Sequence, residues 1–264
     1  MSNFPEAKKA LGQHWLEDEE SLVAMVHAGE ICASDTILEI GPGTGTLTEK
    51  LTETNANIIA LEFDSARYKD LIRTYKESTN VVIQEGDIRV FNLNDLPPDY
   101  KIIANIPYYL TANLLRILSE SENMPKIAVL LVQKEVAQRV GANPGELSML
   151  SVFTQIHYDV SLGRIVPAQL FSPPPKVDSQ ILILHRKSES RSSQILPQLS
   201  RVIKAGFSQK RKKLVNNLAT ELGLGKEEIS KILQDCNLRS DIRAQQLTLG
   251  QWEKISNEIS QLTR

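Results

Sequence analysis

Short apolar runs rich in Ile and Val recur along most of the chain, and stretches with helical spacing fall between them. The runs predict strands at 36–40 (TILEI), 57–62 (NIIALE), 80–84 (NVVIQ), 101–106 (KIIANI), 126–133 (KIAVLLVQ) and 179–186 (SQILILHR). Residues 64–77 and 111–121 carry apolar positions at helical spacing. Strands separated by helices imply a parallel sheet covered on both faces. Past "HRKSESRSS" (His185–Ser193) the strand pattern stops. Residues 195–262 show helical spacing broken by stop signals such as "LGLG" at Leu222–Gly225. A boundary in that Ser-rich segment makes 1–188 an α/β domain and 189–264 a small all-helical one. There is no internal repeat.

Charge sharpens this division. From His185 onward there are 15 Lys and Arg against 8 Asp and Glu, out of chain totals of 30 and 32, which leaves 15 against 24 before it. An acidic body with a basic C-terminal part is expected to hold a polyanion through that part; a solvated helical face is the alternative on charge alone. No apolar run reaches the roughly 18 residues of a membrane span, and the opening "MSNFPEAKKALGQHWLEDEE" has no apolar signal core. The expectation is a cytoplasmic protein with no membrane partner. Cys32 and Cys236 stand in no metal-ligand spacing, so neither a disulfide nor a bound metal is expected.

"LEIGPGTGTL" (Leu38–Leu47) sets Gly41, Gly43 and Gly45 directly after a strand and at a helix start. Glycines there allow a sharp turn and close approach of a ligand to the backbone. The spacing is G-x-G-x-G, one residue shorter than a dinucleotide fingerprint, which suits a nucleoside without phosphate such as S-adenosylmethionine. A purely structural turn is the other reading of this loop alone. The next strand ends in "ALEFD", where Glu62 can accept from both ribose hydroxyls and Asp64 can cap the following helix. The strand after that ends in "EGDI", where Asp87 can accept from an adenine amino group. Ligands of open α/β sheets bind outside such strand ends.

A fourth strand end carries "NIPYYL" (Asn105–Leu110), polar and rigid for the end of a buried strand. An adenine amine is a poor nucleophile because its lone pair is delocalised into the ring. The Asn105 amide oxygen and the Ile106 carbonyl can accept its two N–H bonds and favour a pyramidal nitrogen. Pro107 fixes the turn, and Tyr108 offers a ring for an unstacked base. No strong base is needed, so catalysis would come from positioning and electrostatics.

These motifs resemble the ribosomal RNA adenine dimethyltransferase family, and closely its bacterial small-subunit branch. The resemblance rests on "KKALGQHWL" (Lys8–Leu16), "EIGPGTG", Glu62, Gly86–Asp87, "NIPY", "LFSPPPKVDS" (Leu170–Ser179) and "GFSQKRKKLVNNL" (Gly206–Leu218), and it spans nearly the whole chain. It implies a Rossmann-like methyltransferase sheet, S-adenosylmethionine as cofactor, and a helical RNA-binding domain at 189–264. It also implies cofactor contacts at Gln13, His14, Leu16, Gly41, Gly43, Gly45, Glu62, Phe63, Asp87, Ile88 and Asn105. Asn105, Ile106, Pro107 and Tyr108 would be catalytic, with Phe171 as the second face of the base stack. Trp15 stands where the family usually has Phe, from which a tighter lid is expected.

The implied reaction is dimethylation of N6 on two adjacent adenosines in the 3′-terminal hairpin loop of small-subunit ribosomal RNA. The partner would be a small subunit or its precursor, bound by a monomer, with a role in subunit biogenesis. Rival readings are an assembly factor whose methylation is secondary and a large-subunit adenine methyltransferase. Lys210, Arg211, Lys212 and Lys213, in "QKRKK", are the residues expected to meet RNA phosphates. On a helix, these four would fan around the axis.

Overall fold

The structure, a computed structural model, describes residues 12–188 and 196–262. They form two compact units. The first contains the described residues up to Gln138 together with Tyr158–Arg186; the second contains Arg139–His157 and the described residues from Lys187 onward.

In chain order the first unit has β1 (Trp15–Leu16), α1 (Glu19–Ala28), β2 (Thr36–Ile40), α2 (Thr46–Thr52), β3 (Asn57–Glu62), α3 (Ser65–Thr74), β4 (Val81–Glu85), β5 (Lys101–Asn105), α4 (Thr111–Glu120) and β6 (Ile127–Gln133). Helix α5 (Lys134–Val140) follows, then α6 (Met149–His157) in the second unit, and the chain returns to the first for β7 (Tyr158–Val166), β8 (Phe171–Ser172) and β9 (Ser179–Arg186). Seven strands form one sheet in the order β4-β3-β2-β5-β6-β9-β7. The apolar runs become its centre: Ile37, Leu38, Ile102, Ile103 and Ala128 to Leu131 are fully buried. Each large aliphatic side chain so buried contributes about 1.5–3 kcal/mol.

The all-parallel expectation needs correction. Strands β2 to β6 pair in parallel, but β9 runs antiparallel to β6, and β7 antiparallel to β9. Strand β7 (YDVSLGRIV) was not foreseen. As an edge strand it leaves Asp159, Ser161, Leu162, Arg164 and Ile165 exposed, so it lacks the continuous apolar run of a strand covered on both faces. A register shift between Leu162 and Ile165 blurs its alternation further.

Local rules set the helix ends. Asp64 caps α3, accepting from the Ala66 N–H at 3.0 Å, the role expected of it. Gly45 enters α2 with φ 83°, a left-handed conformation that a side chain would strain.

The second unit is helical apart from its turns. Helices α7 (Leu196–Gly206), α8 (Leu214–Leu222), α9 (Lys226–Asp235) and α10 (Leu249–Leu262) share a core with α6 that includes Val152, Ile156, Val202, Leu218, Leu233 and Trp252. "LGLG" does stop a helix: Gly223 ends α8 at φ 70° and Gly225 precedes α9. A single cut at 188/189 assigned 139–157 to the first unit; the apolar face of α6 places it in the second. Of the expected linker, 189–195 lie outside the described residues, as do residues 8–11 of the N-terminal motif.

Candidate active site at the strand ends

The strand order reverses between β2 and β5, and in such sheets the crevice at the carboxyl ends of these strands takes the ligand. Here the two strands pair only through Ile37 with Lys101 and Leu38 with Ile102. Past that point they part, and a pocket opens among the turn after β2, the ends of β3 and β5, the turn after β4, and residues 12–16. Every residue expected at the cofactor except Gly45 lines it, as do Ile106, Pro107, Tyr108 and Phe171.

The glycine turn supports the pocket in three ways. Gly41 has φ 68°, and a Cβ built on it would meet nothing within 4 Å, so its face stands open. Gly43 has φ 60°, and a Cβ there would fall 2.4 Å from the Trp15 ring, so the bare backbone makes room for Trp15. Gly45 does not line the pocket but turns the chain into α2, and its carbonyl accepts from the Tyr75 hydroxyl at 3.0 Å.

Glu62 is 5% exposed. Its Oε2 accepts from the Gly43 N–H at 2.9 Å and its Oε1 from the Asp64 N–H at 2.8 Å. Burial raises its pKa, and those backbone hydrogen bonds oppose the rise. The carboxylate is thus fixed in place with lone pairs left for ligand hydroxyls. Glu39, at 1% exposure, was not singled out in the sequence. It lines the same pocket, and neither of its oxygens has a hydrogen-bond partner among the described residues. Burial, with the nearby Glu62 charge, pushes its pKa up to about 8; Thr48 lies near enough to offset part of this, but outside hydrogen-bonding geometry. Only its place inside an apolar strand hinted at this.

After β4, Asp87 is held by Arg89, whose Nε lies 2.9 and 2.8 Å from the two carboxylate oxygens. That hydrogen bonding keeps the Asp87 carboxyl below the usual range. Ile88 is buried, while Phe63 is exposed with the Arg89 guanidinium 5.9 Å from its ring centroid.

At the end of β5, the Asn105 Nδ2 donates to the His14 carbonyl at 3.5 Å, which leaves Oδ1 as the acceptor. Pro107 adopts φ −56°, ψ 135° and turns the chain into a short 3-10 segment, Tyr108–Leu110. The Tyr108 hydroxyl shares a 2.8 Å hydrogen bond with Ser179, and His14 stacks on its ring at 5.8 Å. Phe171 is 4% exposed in β8, whose partner β1 brings it opposite Leu16. His14 Nδ1 donates to the Pro173 carbonyl at 2.7 Å. The N-terminal segment is thereby tied to the 171–173 segment at the pocket.

The profile of the family described as ribosomal RNA adenine dimethylase matches residues 5–261. The chain belongs to that family. Members of the ribosomal RNA adenine dimethylase family are methyltransferases that use S-adenosylmethionine. The chain is 35% identical to the ribosomal RNA small subunit methyltransferase A of Crocosphaera subtropica, across 98% of this chain and 100% of that one. It is likewise 35% identical to the protein of that name from Ligilactobacillus salivarius, across 96% and 90%. Among solved structures it resembles a dimethyladenosine transferase from Plasmodium falciparum, with a TM-score of 0.81 and 27% identity across 94% and 98% of the two chains. The 23S rRNA methyltransferase ErmE, at 21% identity and a TM-score of 0.75, shares the fold.

The pocket fits the dimethylase cofactor on its own features. An open face at Gly41, the tethered Glu62 and the unpartnered Glu39 carboxyl line one crevice. Bound there, S-adenosylmethionine would supply an activated methyl group. Trp15, Glu39, Arg89 and the exposed Tyr109 also line the pocket and went unassigned from sequence. Trp15 carried a signal, since it departs from the family's usual Phe, and Glu39 one in its place inside an apolar strand; Arg89 and Tyr109 lacked one.

The basic cluster differs from the dimethylase helix expected for it. Lys210 to Lys213 lie in the turn between α7 and α8, not on a helix, and all four are exposed. The Asn217 amide fastens the start of this turn, donating to the Gly206 carbonyl at 2.7 Å and the Gln209 carbonyl at 3.0 Å. Among the described residues, no group of three or more His, Cys, Asp and Glu could hold a metal ion, and no helix is long and apolar enough to cross a membrane.

Proposed function

We propose that this protein transfers methyl groups from S-adenosylmethionine to N6 of two adjacent adenosines in the 3′-terminal hairpin loop of small-subunit ribosomal RNA. It would act as a monomer on a small subunit or its precursor, in a step of subunit biogenesis. One observation carries this reading. Glu62, Asp87 and Asn105 come from three strand ends far apart in sequence and face a single crevice at the switch point.

In this reading Glu62 accepts from the ribose hydroxyls, Asp87 from the amino group of the donor's adenine, and Ile88 packs on that ring. Asn105 acts on the target base. Its Nδ2 is engaged by the His14 carbonyl, so Oδ1 accepts one N–H of the target amine and the Ile106 carbonyl accepts the other. Held so, the nitrogen lone pair would face the methyl group; the N–C bond would form as the methyl–sulfur bond breaks, S-adenosylhomocysteine would leave, and the amine would shed a proton to water. Tyr108 carries one face of the flipped base, with its ring fixed by Ser179. Phe171 forms the opposite wall from within the core.

Methyl transfer should be assayed on three substrates: small subunits lacking dimethyladenosine, large subunits, and duplex DNA. The expected result is two methyl groups on each of two adjacent adenosines of the small subunit and none on the others. Transfer to the large subunit alone would overturn the substrate reading.

A further inference from the structure

Arg89 stands where the proposed reading puts the donor's adenine. Its Nε donates to both Asp87 oxygens, its Nη2 lies 2.5 Å from Oδ2, and its backbone N–H donates to Oδ1 at 2.9 Å. The same guanidinium lies over the ring of Phe63 at 5.9 Å. Phe63 is 52% exposed and also lines the pocket, so its ring is open to a second partner. One arginine thus satisfies the acceptor assigned to the adenine amino group and covers the aromatic face beside it.

Guanidinium and adenine are alike in what matters here. Both are planar, both present N–H donors at an edge, and both stack on aromatic rings. We propose that Arg89 is a built-in competitor at the donor site, filling the adenine subsite until the donor's adenine displaces it. The inference rests on the methyl-donor reading above. The displacement is physically accessible because the arginine side chain is 49% exposed and can swing into water without opening a cavity.

The exchange sets a cost common to every occupant. An adenine replaces both of the interactions that Arg89 gives up, its amino group on Asp87 and its ring on Phe63. A purine with a carbonyl in place of the amine must break the same Arg89–Asp87 pair, and it turns an acceptor towards Asp87 where the amino donor would be, its N1–H lying one ring position away. An acceptor left without its donor is penalised more than the mean hydrogen bond is worth. Asp87 makes that discrimination, and the arginine lowers affinity by one common factor for every occupant that displaces it.

Calorimetric titration with S-adenosylhomocysteine, which lacks the sulfonium charge, tests this on the parent, Arg89→Met and Arg89→Ala. Both variants should keep the parent's melting temperature and bind roughly two- to fivefold tighter, the factor that an exposed ion pair is worth. Raising the salt concentration should tighten binding by the parent and leave the variants unchanged, because only the parent has a pair to screen. Adenosine and inosine should gain by the same factor from either substitution, since both displace the same pair. Unchanged or weaker binding of S-adenosylhomocysteine in both variants would overturn the proposal; weaker binding would make Arg89 a contact on the bound adenine. A parent that does not bind S-adenosylhomocysteine at all would overturn the donor reading and this inference with it.

Discussion

The strand-end crevice of the first unit and the basic turn of the second both depend on polar side chains at the ends of regular elements, yet they hold those side chains in opposite ways. In the crevice, Glu62 is 5% exposed and fastened by two backbone N–H groups, and Asn105 is oriented by a carbonyl 91 residues away in sequence. In the turn, four consecutive cations are exposed, and the backbone at the start of the turn is what Asn217 fastens. A buried, oriented dipole acts without reorganising and in a low dielectric, so a single atom matters greatly. An exposed cation acts through a screened field, so its neighbours can stand in for it. In the proposed reading, chemistry would concentrate in single residues of the crevice, and RNA positioning would be distributed over the turn.

The contrast is tested most severely by Asn105→Ala. Losing one positioned polar group should lower the rate of methyl transfer by about 10²–10³-fold, while RNA affinity stays within the scatter of the parent. Single-turnover assays and RNA titrations on the same preparation measure the two separately. Turnover near the parent's would show that the crevice is as tolerant as the turn.

Glu39 gives an intermediate effect, read in stability. Buried, it keeps its proton up to about pH 8, whereas the unfolded chain releases it near 4.5. The folded protein therefore binds more protons across that window, and stability must fall as pH rises through it. The slope is at most about 1.4 kcal/mol per pH unit. Glu39→Gln keeps the shape but cannot ionise, so denaturant midpoints across pH 5–8 should flatten. The raised pKa of Glu62 acts in the same direction and leaves a residual slope. Identical slopes in parent and variant would remove Glu39 from the account.

The smallest effect is expected from Arg211→Glu with Lys212→Glu. RNA binding should weaken, and its log–log salt dependence should flatten by roughly 0.7–0.9 for each phosphate that the protein ceases to neutralise. Affinity for S-adenosylmethionine should not change. An unaltered slope would leave the turn as a solvated loop and confine the comparison to the crevice.

Much of this was legible in the chain itself. Five of the seven sheet strands appear as β-branched runs of near-correct extent with a parallel pairing, and β9 appears as a run expected parallel that pairs antiparallel. The glycine spacing, Glu62, Asp87 and "NIPY" mark four strand ends, because strand ends of α/β sheets are where polar groups interrupt apolar runs. Proximity was not legible. The reversal of strand order between β2 and β5 brings those ends together, and it follows from which strands pair, a property of long-range packing. The same holds for α6, whose apolar face had two units to choose from and packed with α7 and α10. It holds also for Glu39, which reads as one acidic residue in a strand until burial protonates it, and for Arg89, which meets Asp87 by local chance of spacing but Phe63 only through the fold. Period and composition fix which residues must be buried or exposed, since each residue's own surface sets that cost. Which buried groups then meet one another depends on pairing across the sheet, and that decides burial, protonation and partners at the site.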